Sequence, residues 1–473
     1  MYIEQIYTGC LAHGAYYIES NGEAAIIDPL RETAPYIQMA EDRKARIKYV
    51  LETHFHADFV SGHVDLAQKT GATIVYGPTT MKTGFDMLVA TDGQEFELGN
   101  IRIRLLHTPG HTMESSCFLL IDEEGREKAL FTGDTLFIGD VGRPDLAQKV
   151  IAELTQEKLA SMLYDSLRNK IMPLTDDLII YPAHGAGSAC GKNMSKETSD
   201  TLGHQKATNY ALRADMTREE FMRELLTGLT PPPGYFPKNV LMNIGGYDQF
   251  DDVMNRGSQP LSPAAFEAAA NETGALILDT REQQSFASGF IPNAINISLD
   301  GNFAVWVGTL VPDIKQEILL IAEPGREKEA ITRMARVGYD HCIGYLDGGM
   351  SSWIHAGKET DTISSLTPQE LAQRWPDNDA VLLDVRKKSE FDSEHVEGAE
   401  NVPLDYINER MQEVDPGKTY YVQCLSGYRS MTFVSILKAR GYEKLINVKG
   451  GFDAIRKSEL FPLTDYVCPT TLL

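Results

Sequence analysis

Short apolar runs closed by turn residues dominate the first half of the chain. Ala24-Ala25-Ile26-Ile27 stops at Asp28-Pro29, and Ile47-Lys48-Tyr49-Val50-Leu51-Glu52-Thr53 runs into His54; both predict buried strands. Ile101-Arg102-Ile103-Arg104-Leu105-Leu106 alternates apolar and polar positions before His107, and Leu130-Phe131-Thr132 leads into Gly133-Asp134. The pattern then becomes more helical, most clearly over Arg218 to Leu226, until Pro231-Pro232-Pro233-Gly234 breaks it. Residues with metal-binding side chains therefore fall where strands end, the usual position for groups carried by a rigid sheet.

Further along, the pattern repeats itself. Ile277-Leu278-Asp279-Thr280-Arg281, followed by Phe286, Ile291, Ala294, Asn296 and Leu299, matches Leu382-Leu383-Asp384-Val385-Arg386, followed by Phe391, Val396, Ala399, Asn401 and Leu404. Each copy closes alike, with Leu346-Asp347-Gly348-Gly349-Met350 and Val448-Lys449-Gly450-Gly451-Phe452. Two similar α/β units explain this economically. With the first region ending near Gly257, the expected domains are 1–257, 258–360 and 361–473, with 358–366 as connector.

Composition narrows the function classes. A chain of 473 residues with 42% hydrophobic content can build full-sized cores, and about three domains are expected. Six cysteines lie scattered without paired spacing, which suits a reducing compartment. The N-terminus has no basic flank leading an apolar run, and no apolar stretch has spanning length, so a cytoplasmic, soluble protein is expected. A formal charge of -23 argues against nucleic acid and membrane surfaces as partners. A homo-oligomer, dimer or tetramer, is expected for folds of this kind.

Four segments carry the candidate chemistry: Thr53-His54-Phe55-His56-Ala57-Asp58-Phe59, His107-Thr108-Pro109-Gly110-His111-Thr112, Thr132-Gly133-Asp134-Thr135 and Pro182-Ala183-His184-Gly185. A lone His or Asp is usually a surface or satisfied core residue, and His13, His63, His107, His204, His341, His355 and His395 carry that reading. Four ordered segments are different. In order and content they resemble the metallo-β-lactamase superfamily, whose first motif ends in a histidine where this chain has Phe59. A phenyl ring ligates nothing, so a second metal would keep only Asp58, His184 and a shared Asp134. One metal is expected. The resemblance extends to the persulfide dioxygenase branch, which implies a single non-heme Fe(II) held by His54, His111 and Asp134, with Zn(II) as the alternative metal. It implies an outer shell of His56, Asp58 and His184. The loop Gly139-Asp140-Val141-Gly142-Arg143-Pro144-Asp145-Leu146 resembles that branch as well, which makes Arg143 the candidate to receive a carrier thiol's carboxylate. Cys190, shortly after His184, is either a candidate reactive thiol or a small buried cysteine.

In the second copy of the repeat, Tyr420-Tyr421-Val422-Gln423 runs into Cys424-Leu425-Ser426-Gly427-Tyr428-Arg429-Ser430 and a helix. A thiol at a helix N-terminus beside an arginine has its thiolate favoured by backbone N–H groups, helix dipole and guanidinium. Both copies resemble rhodanese sulfurtransferases. That resemblance implies Cys424 as the nucleophile carrying sulfane sulfur and Arg429 as its partner, with Gly427 and Ser430 contacting substrate. Phosphatases of related shape place one more residue between cysteine and arginine. In the first copy, Ile321-Ala322-Glu323-Pro324-Gly325-Arg326-Glu327 puts Ala322 in the nucleophile's place and Glu327 in the arginine's, so that copy is expected to be a spacer or docking surface.

The expected fold class is thus α/β, an N-terminal metallo-β-lactamase αββα sandwich followed by two rhodanese-like α/β domains. The expected function is oxidation of a low-molecular-weight thiol persulfide by O₂ to sulfite, coupled through a Cys424 persulfide to thiosulfate. Tethering the two sites would raise the local concentration of a labile intermediate. Two rivals are a glyoxalase II-like thioester hydrolase with a zinc site, and a non-catalytic thiol-binding domain joined to a sulfur-relay rhodanese.

Overall fold

Strand Ser116–Ile121, Ser-Cys-Phe-Leu-Leu-Ile, is buried at every position. A strand apolar on both sides needs both faces of its sheet covered. In this computed structural model, which describes residues 1–146, 155–375 and 380–468, Phe118 and Leu120 point into a core shared with a second sheet, together with Tyr16, Ile27, Leu51 and Phe131. Cys117, Leu119 and Ile121 point the other way, against Leu163, Phe221 and Leu225 of helices Gln156–Ser166 and Arg218–Leu226.

Two six-stranded sheets form this first region. One runs in chain order from Tyr2–Thr8 through His13–Ser20, Glu23–Ile27, Arg46–Leu51, Thr73–Tyr76 and Leu88–Val89. The other is ordered Asp200–Thr201, Ile179–Pro182, Glu127–Gly133, Ser116–Ile121, Ile101–His107 and Glu95–Leu98. Helices Ala34–Asp42 and His63–Thr70 cover the first sheet with Tyr36 and Leu66 among their buried residues. The result is the expected αββα sandwich. The helix read from sequence at Arg218–Leu226 has those bounds because Thr217 and Glu220 form a reciprocal cap, a device worth about 1 kcal/mol.

The described residues group into two compact units, Met1–Asp251 with Met334–Gly338, and Asp252–Arg333 with Tyr339 onward. The helix Phe250–Gly257 spans the point where the first unit gives way to the second.

The second unit holds two five-stranded parallel sheets of the same order: Pro260–Leu261, Cys342–Leu346, Ile318–Ile321, Leu276–Asp279, Ile295–Asn296, and then Ser365–Leu366, Leu445–Val448, Thr419–Gln423, Ala380–Asp384, Glu400–Asn401. The repeat extends to its buried polar network. Arg281 pairs with Asp279 at 2.6 Å and donates to Gly289 O at 2.8 Å; Arg386 does the same with Asp384 at 2.6 Å and Glu394 O at 2.8 Å. Asn296 and Asn401 each bridge the carbonyls of their Asp and Arg. No helix among the described residues is long and apolar enough to cross a membrane.

Candidate active sites

His54 leaves strand Arg46–Leu51 through Thr53. The Thr53 amide and hydroxyl both donate to the Asp28 carboxylate at 2.8 Å. Because that hydroxyl's one proton goes to Asp28, it accepts from His54 Nδ1–H at 3.0 Å, which leaves His54 Nε2 as a free lone pair. His111 reaches the same state differently, with Nδ1–H donating to Arg143 O at 2.8 Å. Asp134 follows Gly133, whose φ of +51° and closeness to Thr53, 2.6 Å from where a Cβ would lie, both require glycine.

The three side chains converge. Asp134 Oδ2 lies 3.3 Å from His111 Nε2 and 3.9 Å from His54 Nε2. All are buried, and neither Asp134 oxygen has a hydrogen-bond partner. A buried carboxylate left so costs several kcal/mol; a cation facing two imidazole lone pairs is the partner that chemistry calls for, so the donor set fits a metal. Burial pushes the Asp134 carboxyl well above its ordinary value, with the Asp58 charge adding to it. Burial also holds His111 down to about 4 and His54 well below its usual value, so both imidazoles are neutral near pH 7.

The remaining residues of the four segments separate into two groups. His184 Nε2 stands 3.4 Å from Asp58 and 3.6 Å from Asp134 Oδ1, and Cys190 joins Asp58 and His184 in a buried cluster whose ligand atoms lie within 4.8 Å of one another. Burial, then the Asp58 and Asp134 charges, push the Cys190 thiol well up. His56 belongs elsewhere, between Asp28 at 3.1 Å and Glu52 at 3.4 Å. The Phe59 ring packs 4.3 Å from both His56 and His13.

Sequence reasoning passed over three of these residues. His13, taken as ordinary, is fully buried beside Phe59 and His184. Asp28 and Glu52 flank His56; the signal for Asp28 was its place after an apolar strand and before Pro29, where it adopts φ +50°.

Arg143 is a correction. Its guanidinium is buried, forks onto Asp145 at 2.6 Å and donates to Ala189 O and Thr230 O, so it has no fork left for a substrate carboxylate. Its backbone is what reaches the site, through Arg143 O on His111. A Cβ on Gly142 would lie 2.0 Å from Asp134 O and 3.0 Å from His111 Nδ1. Gly142→Ala is therefore expected to cost about 1–3 kcal/mol of stability and to lower metal content, measured by elemental analysis beside thermal unfolding.

In the second unit Cys424 follows strand Thr419–Gln423, with the Gly427 N–H donating to its Sγ at 3.1 Å. Gly427 has φ +102° and opens helix Tyr428–Lys438. Gly451 stands where a Cβ would meet Cys424 O at 2.2 Å. Arg429 forks onto Glu390 at 2.6 and 2.8 Å. Burial would raise the Glu390 carboxyl, but the guanidinium outweighs it and holds the group below its ordinary value. Ser430 is a second correction, because its hydroxyl turns inward to Gly427 O and Asn447 Oδ1. In the first repeat Ala322 stands at the position that matches Cys424, and Cys342 is a buried thiol pushed up to about 12 by desolvation.

These two sites and folds have counterparts among known proteins. The metallo-beta-lactamase superfamily model matches residues 8–184, and the rhodanese-like domain model matches 262–356 and 367–458. A hydroxyacylglutathione hydrolase of Pelagibacter ubique is 31% identical over 251 residues, 52% of this chain and 94% of that protein. The mitochondrial persulfide dioxygenase ETHE1 of Homo sapiens is 32% identical over 163 residues, 34% of this chain and 59% of that protein. A crystal structure of a metallo-beta-lactamase from Staphylococcus aureus is 32% identical with a TM-score of 0.64, covering 73% of this chain and 98% of that one. The chain belongs to the metallo-β-lactamase superfamily, and rhodanese-like domains follow its N-terminal domain.

Proposed function

We propose that the N-terminal domain, residues 1–257, is a non-heme Fe(II) persulfide dioxygenase, and that 361–473 is a rhodanese sulfurtransferase joined to it by the inactive repeat 258–360. The carrying observation is the buried, hydrogen-bond-free Asp134 carboxylate facing the Nε2 atoms of His54 and His111. Two imidazoles and one carboxylate suit Fe(II) with open positions. Phe59 supports a single metal, since it takes the place in the motif of the superfamily's further histidine and its ring packs against His13 and His56. The similarity to a persulfide dioxygenase and the rhodanese-like domains together support a role in sulfur metabolism.

Bound Fe(II) would supply the redox chemistry between O₂ and the terminal sulfur. The overall reaction is RSSH + O₂ + H₂O → RSH + H₂SO₃. Thr53 and Arg143 O orient the two imidazoles, while Asp58 and His184 lie on the other side of Asp134, placed to hold or move a proton. Beside His111 a hollow is lined by Phe55, Ala57, Met81, Leu146 and Val240. It would take the carrier's apolar arm and exclude water from the sulfur. At the other site the Cys424 thiolate attacks the sulfane sulfur of thiosulfate; the S–S bond breaks, sulfite leaves with the electron pair, and a cysteine persulfide remains. The reverse direction makes thiosulfate from sulfite. No disulfide forms among the described residues, which supports a reducing, cytoplasmic location.

Several similar proteins are hydroxyacylglutathione hydrolases, so the second reading is a zinc thioester hydrolase. Oxygen uptake by iron-loaded protein with glutathione persulfide, run beside cleavage of S-lactoylglutathione by zinc-loaded protein, separates them. Oxygen uptake with stoichiometric sulfite is expected; thioester cleavage without uptake would replace the dioxygenase with the hydrolase.

A further inference from the structure

The helix after Cys424, Tyr428–Lys438, is buried at every residue from Ser430 to Leu437. Its own sheet covers only one side, so a helix buried all round needs a second covering surface. The first repeat provides it. Tyr428 Oη donates to Ser298 O at 2.8 Å and Ser435 Oγ accepts from the Asn296 amide at 2.9 Å, while Lys438 pairs with Asp361 of the connector at 3.1 Å. These positions share one helical face. Asn296 lies on strand Ile295–Asn296 at the edge of the first repeat's sheet, where a backbone N–H needs a partner from outside.

The turn that receives Tyr428 is itself held. Arg333 donates to Leu299 O at 2.6 Å and to Gly301 O at 2.7 Å. A Cβ on Gly301 would fall 2.7 Å from the Tyr428 ring, so the ring lies directly on that backbone. Tyr428 in turn stands between Gly427, whose N–H reaches Cys424 Sγ, and Arg429. The device is one-sided. In the first repeat the matching residue is Arg326, which pairs with Asp300 at 2.7 Å and Glu329 at 2.9 Å of its own repeat.

We propose that the cysteine-less repeat is a clamp on the Cys424 loop, with Tyr428 as its positioning residue. By holding the first turn of the helix from outside, the first repeat sets where the Gly427 N–H and Arg429 stand relative to the sulfur. A copy without a nucleophile then has a role in the other copy's chemistry. The inference rests on Cys424 being the nucleophile of sulfur transfer.

The test uses full-length protein with Tyr428→Phe, Gly301→Ala and, as a comparison, Ser435→Ala, which loses a bond of the same interface two turns from the sulfur. Three quantities are read: the rate of Cys424 alkylation by iodoacetamide, followed by peptide mass spectrometry; kcat and KM for sulfur transfer from thiosulfate to cyanide; and the thermal midpoint. Tyr428→Phe and Gly301→Ala are expected to slow alkylation and lower kcat roughly threefold to tenfold, the range set by one hydrogen bond, with KM for thiosulfate little changed. Ser435→Ala is expected to lower the midpoint and leave alkylation unchanged. Equal losses of stability in all three, with parental alkylation and kcat in Tyr428→Phe, would reduce the contact to packing and overturn the proposal. Should Gly301→Ala fail to fold, Tyr428→Phe decides alone, since it removes a single oxygen. Alkylation reports on the thiol whether or not sulfur is transferred, so a parent protein without turnover would end the sulfurtransferase reading and leave the clamp to be judged on alkylation rates.

Discussion

Replacing His111 with alanine is expected to empty the N-terminal domain of metal and to lower oxygen uptake by roughly a hundredfold or more, beyond the 10–100-fold typical for outer-shell changes at metal sites. The imidazole is one of two neutral nitrogen donors facing Asp134 Oδ2, and its Nδ1–H is held by Arg143 O, which fixes Nε2 toward the carboxylate. Elemental analysis and an oxygen electrode read both effects. Asp134→Asn gives a sharper contrast. It removes the metal too, yet the metal-free variant should melt no lower than the metal-free parent, because the buried carboxyl has no hydrogen-bond partner that an amide would lose. Full metal content in both variants would discard the His54, His111, Asp134 assignment.

Cys424→Ser should lower sulfur transfer by roughly three orders of magnitude or more, as loss of a nucleophile does, while metal content and persulfide-dependent oxygen uptake stay at the parent level. The sulfur sits at the end of a strand, beneath the Gly427 N–H and next to the Arg429–Glu390 pair; a serine hydroxyl there keeps the shape and loses the thiolate. Putting a thiol back in the other copy should not help. Ala322→Cys places a cysteine in the matching position, but Glu327, not an arginine, follows it there, with its carboxylate accepting from the Gly325 amide at 2.9 Å. A carboxylate beside the thiol disfavours the thiolate and repels thiosulfate. Restoration of transfer by Ala322→Cys in the Cys424→Ser background would show that the loop alone carries the activity.

Much of the architecture was legible before any coordinates. The apolar runs ending at His54 and Asp134 became strands Arg46–Leu51 and Glu127–Gly133, and the repeated Asp-x-Arg and Asn positions became two copies of one buried network. Such features depend on residues near in sequence and on the period of burial, which a chain displays directly. Arg143 was misjudged for the opposite reason. Its fork onto Asp145, two residues on, forms only because the loop is buried and folded back against Ala189 and Thr230. Ser430 turns to Asn447 for the same kind of reason, since that strand arrives beside it only in the finished sheet.

By itself the sequence determined the residue types at the two centres, the strand ends that carry them, the missing ligand at Phe59 and the missing thiol at Ala322. Tertiary structure alone decided which charged and polar groups satisfy one another: His56 with Asp28 and Glu52, Cys190 with Asp58 and His184, Tyr428 with Ser298. The physical reason is that a polar side chain's role is set by the partner it meets once water is excluded, and burial brings together segments that no local pattern relates.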